Sequence, residues 1–377
     1  MADPAVPAGP RFLSWLDYIR ISIHSDREGR ARFWLVVLLV ILIATAIGSL
    51  AIGPISIPVF DLLPLVIKRL FSGESGVPEN VSLRDWIVLT DIRLPRMIMG
   101  VFVGAALAVC GAVMQGLFRN PLADPGLVGV SSGAGLGAAS FIVLGNGILQ
   151  PVAMLLGIYA VPVAAFVGAL ATTSLLYRIG TRSGITSVAT LLLAGIAIAA
   201  LSGAATGLLV FVADDSQLRD LNFWQLGALT GATWEKVVSI APIIVGSLFC
   251  MGLLARGLNA LTLGEAAASH IGIRVQRLKN ISIFLVAGAT GAAVAVSGGI
   301  GFVGIVVPHL LRLTIGPDHR YLLPGCALLG ATLLLVTDTL SRTIVAPAEL
   351  PIGILTALLG APFFLWILLR RRSLVGL

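Results

Sequence analysis

Ten apolar runs divide this chain of 377 residues, at about 33–53, 95–117, 126–145, 151–177, 188–212, 236–256, 279–297, 301–315, 321–340 and 352–369. Most approach the roughly 20 apolar residues that cross the hydrocarbon core of a bilayer. A helix on the surface of a soluble domain keeps a polar face, and these runs have none. They therefore read as membrane helices, and the fold class expected is an all-α membrane protein of about ten transmembrane helices. Only 11% of the residues are charged, against about 25% in soluble domains. The run at 301–315 is short and led by glycine, so a tilted or partly re-entrant piece is expected there.

An even number of spans leaves both termini on one side. On that side fall 17 of the 25 Lys and Arg residues, among them Arg27, Arg30, Arg32, Arg178, Arg274, Arg277 and Arg320. The excess of positive charge marks the cytoplasmic side. The formal net charge of +7 then reports topology and anionic lipid headgroups, and nucleic acid is not an expected partner. Residues 1–32 are polar and rich in Arg, but the apolar run that follows continues past the "ATA" at 44–46, so no cleaved signal peptide is expected. Cys110, Cys250 and Cys326 lie in or near the spans, without disulfide or metal spacing.

Several chemistries are excluded. Lysine occurs only at 68, 236 and 279, never after a glycine, so no phosphate-binding G-x-x-x-x-G-K loop exists. The chain is not expected to bind and hydrolyse ATP in the usual way by itself, and no enzymatic activity is expected. The histidines His24, His270, His309 and His319 fit no zinc spacing, and neither a metal nor a permanent cofactor is expected. "GVSSG" at 129–133 fits the G-x-S-x-G elbow of hydrolases, with Ser131 or Ser132 as nucleophile. It sits in an apolar run of small residues, where close helix contact through small-xxx-small spacing is the preferred reading. Gly100/Gly104 and Gly203/Gly207 read the same way.

Several motifs remain. "RLPR" at 93–96 sets Arg93 and Arg96 just outside a span, and Arg342 is a third such arginine on the outer side. Two readings apply: the side chains snorkel to the interface, or they dock an acidic partner by charge pairing. "RNPLADP" at 119–125 is a tight inner turn, with prolines that stop helices and Asn120 to cap. "LTLGEAAASHIGIRV" at 261–275 is a short, half-polar, alanine-rich pause between two spans. Its alanines favour helix, Glu265 suits a helix N-terminus, and Gly264 and Gly272 permit sharp turns.

These motifs together carry a resemblance. "RLPR", "GAALAVCGAVMQGLFRNPLADPGLVGVSSGA", "GGIGFVGIVVPHLLR", "GPDHR" and "ELPIG…LGAPFF" occur in the order found in permease subunits of FecCD-type ABC importers, over residues 33–370. The family imports iron–siderophores, haem or cobalamin. The resemblance implies a homodimer of ten-helix subunits in the bacterial inner membrane, with two cytoplasmic ATP-binding-cassette ATPase subunits and a periplasmic binding protein. It implies that residues 261–275, with Gly264, Glu265, Ala266, Ala267, His270 and Gly272, form the coupling helices that seat in the ATPase. It further implies that Arg93, Arg96 and Arg342 pair with glutamates of the binding protein. Residues 213–234 would form the periplasmic gate. There "DSQLRDLNFWQLGALTGATW" resembles haem permeases more than siderophore permeases. Gln217, Arg219, Phe223 and Trp224 are the path residues, with Arg219 placed to hold a haem propionate by a charge-assisted bond. Local pairing of Arg219 with Asp215 or Asp220 is the alternative. Haem is the expected cargo, a ferric siderophore the alternative, and cobalamin a more distant one. Residues 1–32 lie outside the resemblance and are given no role.

Overall fold

The computed structural model describes residues 27–53, 82–182 and 185–372. Most of the polar N-terminal segment and the outer Lys68 lie outside the described residues. Residues 27–32 are the opening turns of the first helix, α1 (Arg27–Ala51). The second span begins earlier than its apolar run. Helix α2 (Leu83–Ile87) passes through a π-helical stretch, Val88–Arg93, into α3 (Leu94–Phe118). Pro95 has no N–H for the usual bond four residues back, and the wider turns lie just before it.

Beyond α3 come α4 (Val130–Leu144), α5 (Gln150–Leu156) and α6 (Ala160–Gly180). The small hairpin of β1 (Thr181–Arg182) and β2 (Ile185–Thr186) leads to α7 (Val188–Val212) and α8 (Asp215–Leu226). Then follow α9 (Trp234–Leu253), α10 (Ala255–Thr262), α11 (Glu265–His270) and α12 (Val275–Ser297). Helices α13 (Val303–Thr314), α14 (His319–Thr343) and α15 (Ile352–Arg372) complete the chain. Among the described residues seven helices are long and apolar enough to cross a membrane, and α4, α13 and the first part of α15 are shorter apolar helices. Those ten segments are the ten of the sequence. At 12 residues α13 is about 18 Å long, short of a full crossing, as its glycine-led sequence implied.

Helix α3 is the centre of the bundle. It packs on α14, α12, α13 and α9, while α4, α6 and α7 form a second group joined to it through α12. Lipid tails are as apolar as leucine, so association in a membrane rests on dispersion and close approach rather than hydrophobic drive. Glycine supplies that approach. A Cβ on Gly104 of α3 would stand 2.4 Å from the Gly330 carbonyl oxygen of α14, and one on Gly111 would stand 2.0 Å from that of Gly304. Gly133 and Gly137 of α4 meet Gly168 and Ala164 of α6 equally closely. The "GVSSG" stretch is thus a packing face. A 3-10 turn (Pro125–Val128) precedes it instead of a strand, and Ser132 bonds its own Gly129 carbonyl. The expectation for Gly203 and Gly207 does not hold among the described residues: a Cβ on either meets nothing within 4 Å. They lie on an outer face of α7 beside exposed Leu201, Leu208 and Phe211.

Candidate functional site: the two membrane ends

Three groups of predicted residues occupy the two ends of the bundle. At one end α8 rises between α7 and α9. Asp214 caps it, accepting from the Ser216 and Gln217 N–H groups, while Gln217 Oε1 accepts from the Asp214 N–H in return. The Ser216 hydroxyl and the Gln217 N–H hold the Asp214 carboxyl below its ordinary range. Gln217 Nε2 also donates to the Val143 carbonyl at 3.1 Å. Its polar atoms are occupied in holding the helix, so it is a positioning residue here. Arg219 is exposed and makes no hydrogen bond or ion pair among the described residues; neither Asp215 nor Asp220 pairs with it.

Phe223, one turn on from Arg219, is 55% exposed. With Trp224 it lines a cavity of about 500 Å³, together with Lys236, Ser297 and Glu349. Arg219 lies outside that lining. Lys236 and Ser297 carried no signal in the sequence beyond being polar residues near span ends.

The C-terminal end of α8 is locked by glycines. Gly227 has φ +71° and Gly298 has φ +68°, conformations that suit glycine. Ala228 N donates to Ser297 O, and Ile352 N donates to Gly227 O. A Cβ on Gly298 would stand 2.0 Å from the Trp224 carbonyl oxygen, and one on Gly353 2.1 Å from that of Leu226. The end of α8, the turn before α13 and the start of α15 are therefore one backbone-to-backbone junction.

At the same end Arg93, Arg96 and Arg342 come together, but inside the protein; each is only 5–6% exposed. Arg96 donates through Nε to Asp338 at 2.9 Å and through both Nη atoms to Glu349, at 3.2 and 2.9 Å. Arg342 Nε lies 3.1 Å from the other Asp338 oxygen. Arg342 also donates to the carbonyls of Ser49 and Ile52, and Arg93 to those of Leu50 and Ala51. The last carbonyls of a helix have no partner within it; here two arginines satisfy those of α1. Neither sequence reading, snorkelling or an open docking rim, anticipated this internal role. Asp338 gave no warning because it lies inside an apolar run, and only its contacts reveal it.

At the opposite end, residues 261–275 fold as the sequence implied. Gly264 at φ +109° and Gly272 at φ +86° bracket the six-residue α11. Glu265 is in its first turn and reaches Lys279 at 2.7 Å. Ala266 and His270 are exposed, Ala267 is partly so, and Ala268 faces inward. Leu263 and Ile271 flank the helix as apolar knobs, 72% and 63% exposed. Lys279, buried, also donates to the Thr186 carbonyl of the hairpin. Nearby, Asn259 of α10 donates to Asp318, and its oxygen lies 2.7 Å from His319 Nδ1. Asp318 caps α14. Partial burial opposes its charge, but the Arg320 guanidinium and N–H and the Asn259 amide outweigh that and lower its carboxyl to about 2.

Four findings place the chain among known proteins. The model of the FecCD transport family matches residues 38–370. The hemin transport system permease protein of Yersinia pestis is 47% identical over 91% of this chain and 97% of its own length. A cobalamin import system permease protein of Halobacterium salinarum is 44% identical over 78% of this chain and 76% of its own. A solved structure described as an inward-facing conformation of a metal-chelate type ABC transporter superposes with a TM-score of 0.75 at 31% identity, over 89% of this chain and 98% of that one.

Proposed function

The chain belongs to the FecCD transport family, and from that membership and the geometry of its two ends we propose that it moves haem from periplasm to cytoplasm as the permease subunit of an ABC importer. Energy comes from ATP hydrolysed on separate subunits. The observation that carries the cargo is the α8 end. Arg219, exposed and without a partner among the described residues, stands one helical turn before Phe223, which with Trp224 lines a cavity of about 500 Å³. Haem is a large apolar ring with two propionates. The aromatic side chains suit the ring, and the free cation suits a carboxylate held briefly by a charge-assisted bond. The similarity to the hemin permease over 97% of that protein's length supports the same reading.

The other parts of the machine follow from the same membership. The α8 end faces the periplasm and the α11 end the cytoplasm, in line with the excess of Lys and Arg at the latter. Two copies pair through the exposed face of α7, where Gly203 and Gly207 offer a close approach that nothing among the described residues uses. Leu263 and Ile271 seat α11 in the ATPase, and the Glu265–Lys279 pair carries its movement into α12. A periplasmic binding protein docks at the α8 end, as membership of the family implies.

The test is ATP-driven uptake in liposomes holding the chain with its ATPase and binding protein. Haem uptake that falls about tenfold or more in Arg219→Ala, with haem-free ATPase activity retained, is the expected result. Uptake of a ferric siderophore or of cobalamin in place of haem would keep the family and overturn the cargo.

A further inference from the structure

A second cavity, of about 480 Å³, opens between α6 and α12, away from the gate and the coupling helix. Its lining is graded. The two helices run in opposite directions, yet both place their polar residues at the α11 end: Tyr177 and Arg178 on α6, and Asn280 on α12. Toward the bilayer centre the lining becomes Leu170, Ile283 and Ala287, with Phe284 71% exposed at the lateral opening.

Two polar groups lack partners. Arg178 makes no ion pair among the described residues. Thr173, between the polar and apolar parts, is 4% exposed, and its hydroxyl has no hydrogen-bond partner among the described residues. Thr90, Thr332 and Thr337, also in membrane helices, each donate to the carbonyl four residues back. A buried hydroxyl left unpaired is destabilising, so the Thr173 hydroxyl suits an acceptor from outside the chain.

We propose that this groove binds one anionic phospholipid of the inner leaflet. Its phosphate pairs with Arg178, its glycerol ester accepts from Thr173, and an acyl chain lies along Leu170, Ile283 and Phe284. Charge at the headgroup level and apolar surface below it match a lipid better than a soluble anion, which has no use for the apolar half. Placing the polar end at the inner leaflet rests on the orientation proposed above. The site also adjoins the coupling machinery. Gln276 donates to both Asn280 and Thr186, and Thr186 accepts in turn from Lys279, the partner of Glu265.

The test is native mass spectrometry of the full chain released from detergent, titrated with phosphatidylglycerol or phosphatidylcholine. It needs no transport and is independent of the cargo. Preferential binding of phosphatidylglycerol, weakened about tenfold in Arg178→Ala and largely restored in Arg178→Lys, is the expected result. Thr173→Val should weaken that binding while leaving the lipid-free melting temperature unchanged or raised; a merely structural threonine would lower it. Equal binding of both lipids, or no effect of Arg178→Ala, would overturn the proposal. Competition by glycerol phosphate at equal concentration would assign the site to a soluble phosphate ester and overturn the lipid. If Phe284→Arg broke a dimer and left lipid binding intact, a second copy would own the groove and the proposal would fail.

Discussion

Asp338 shows how one side chain can hold a membrane end together. It is 1% exposed and bonded to Arg96, with Arg342 at 3.1 Å from its second oxygen. Removing one member of a buried charge cluster leaves its partners uncompensated, at a cost of about 3–5 kcal/mol. Asp338→Ala is therefore expected to lower the melting temperature of the detergent-purified chain sharply. Glu349→Gln should lower it much less, because Glu349 is 32% exposed and water can replace it. Comparable losses for the two would contradict the burial argument. Arg219 is the opposite kind of residue: its loss should change transport and leave stability alone, since nothing described in the fold leans on it.

At the scale of elements, ends and contacts decide more than apolar length. Helix α14 begins with Asp318, whose side chain accepts the Arg320 N–H. Asp318→Ala should cost about 1 kcal/mol, typical for loss of a cap. The pH dependence follows from the lowered carboxyl, about 2 against an ordinary 3.8. A group held below its unfolded value contributes stability above that value and loses it as the pH falls through the folded one. Melting temperature against pH should therefore show the Asp318 contribution in full above about pH 4 and fading toward pH 2. In Asp318→Asn that part of the profile should be flat; an unchanged slope would remove Asp318 as its source.

The short turns are also set locally. Gly264 and Gly272 were legible as the bends around α11 because few other residues adopt their positive φ. The capping pair Asp214 and Gln217 lies in plain sight three residues apart, yet the sequence suggested a path role for Gln217. The spacing of a capping box is easily missed inside a stretch read for its chemistry.

Across the whole molecule, the exposed face of α7 is where the proposed pairing of two copies can be tested. Gly207→Phe adds bulk where a Cβ meets nothing. It should leave the stability of the monomer within about 0.5 kcal/mol of the original and abolish the proposed dimer, as read by light scattering in detergent. The same replacement at Gly104 should prevent folding, since Gly330 blocks even a methyl group. A Gly207→Phe chain that still dimerised would move the interface elsewhere.

The sequence by itself determined the membrane class, the ten apolar segments, the absence of a phosphate loop, the positions of the sharp turns and the family. These follow from length, local composition and backbone chirality, which act over a few residues or a single span. Only the tertiary structure decided which glycines touch, that Arg93, Arg96 and Arg342 turn inward onto Asp338, Glu349 and the end of α1, and that Arg219 has no partner among the described residues. An arginine beside a span reads the same whether it faces solvent or the bundle. Its partners lie more than 200 residues away in the case of Arg96 and Asp338, and pairing at that range is set by how the helices pack, which hydropathy does not encode.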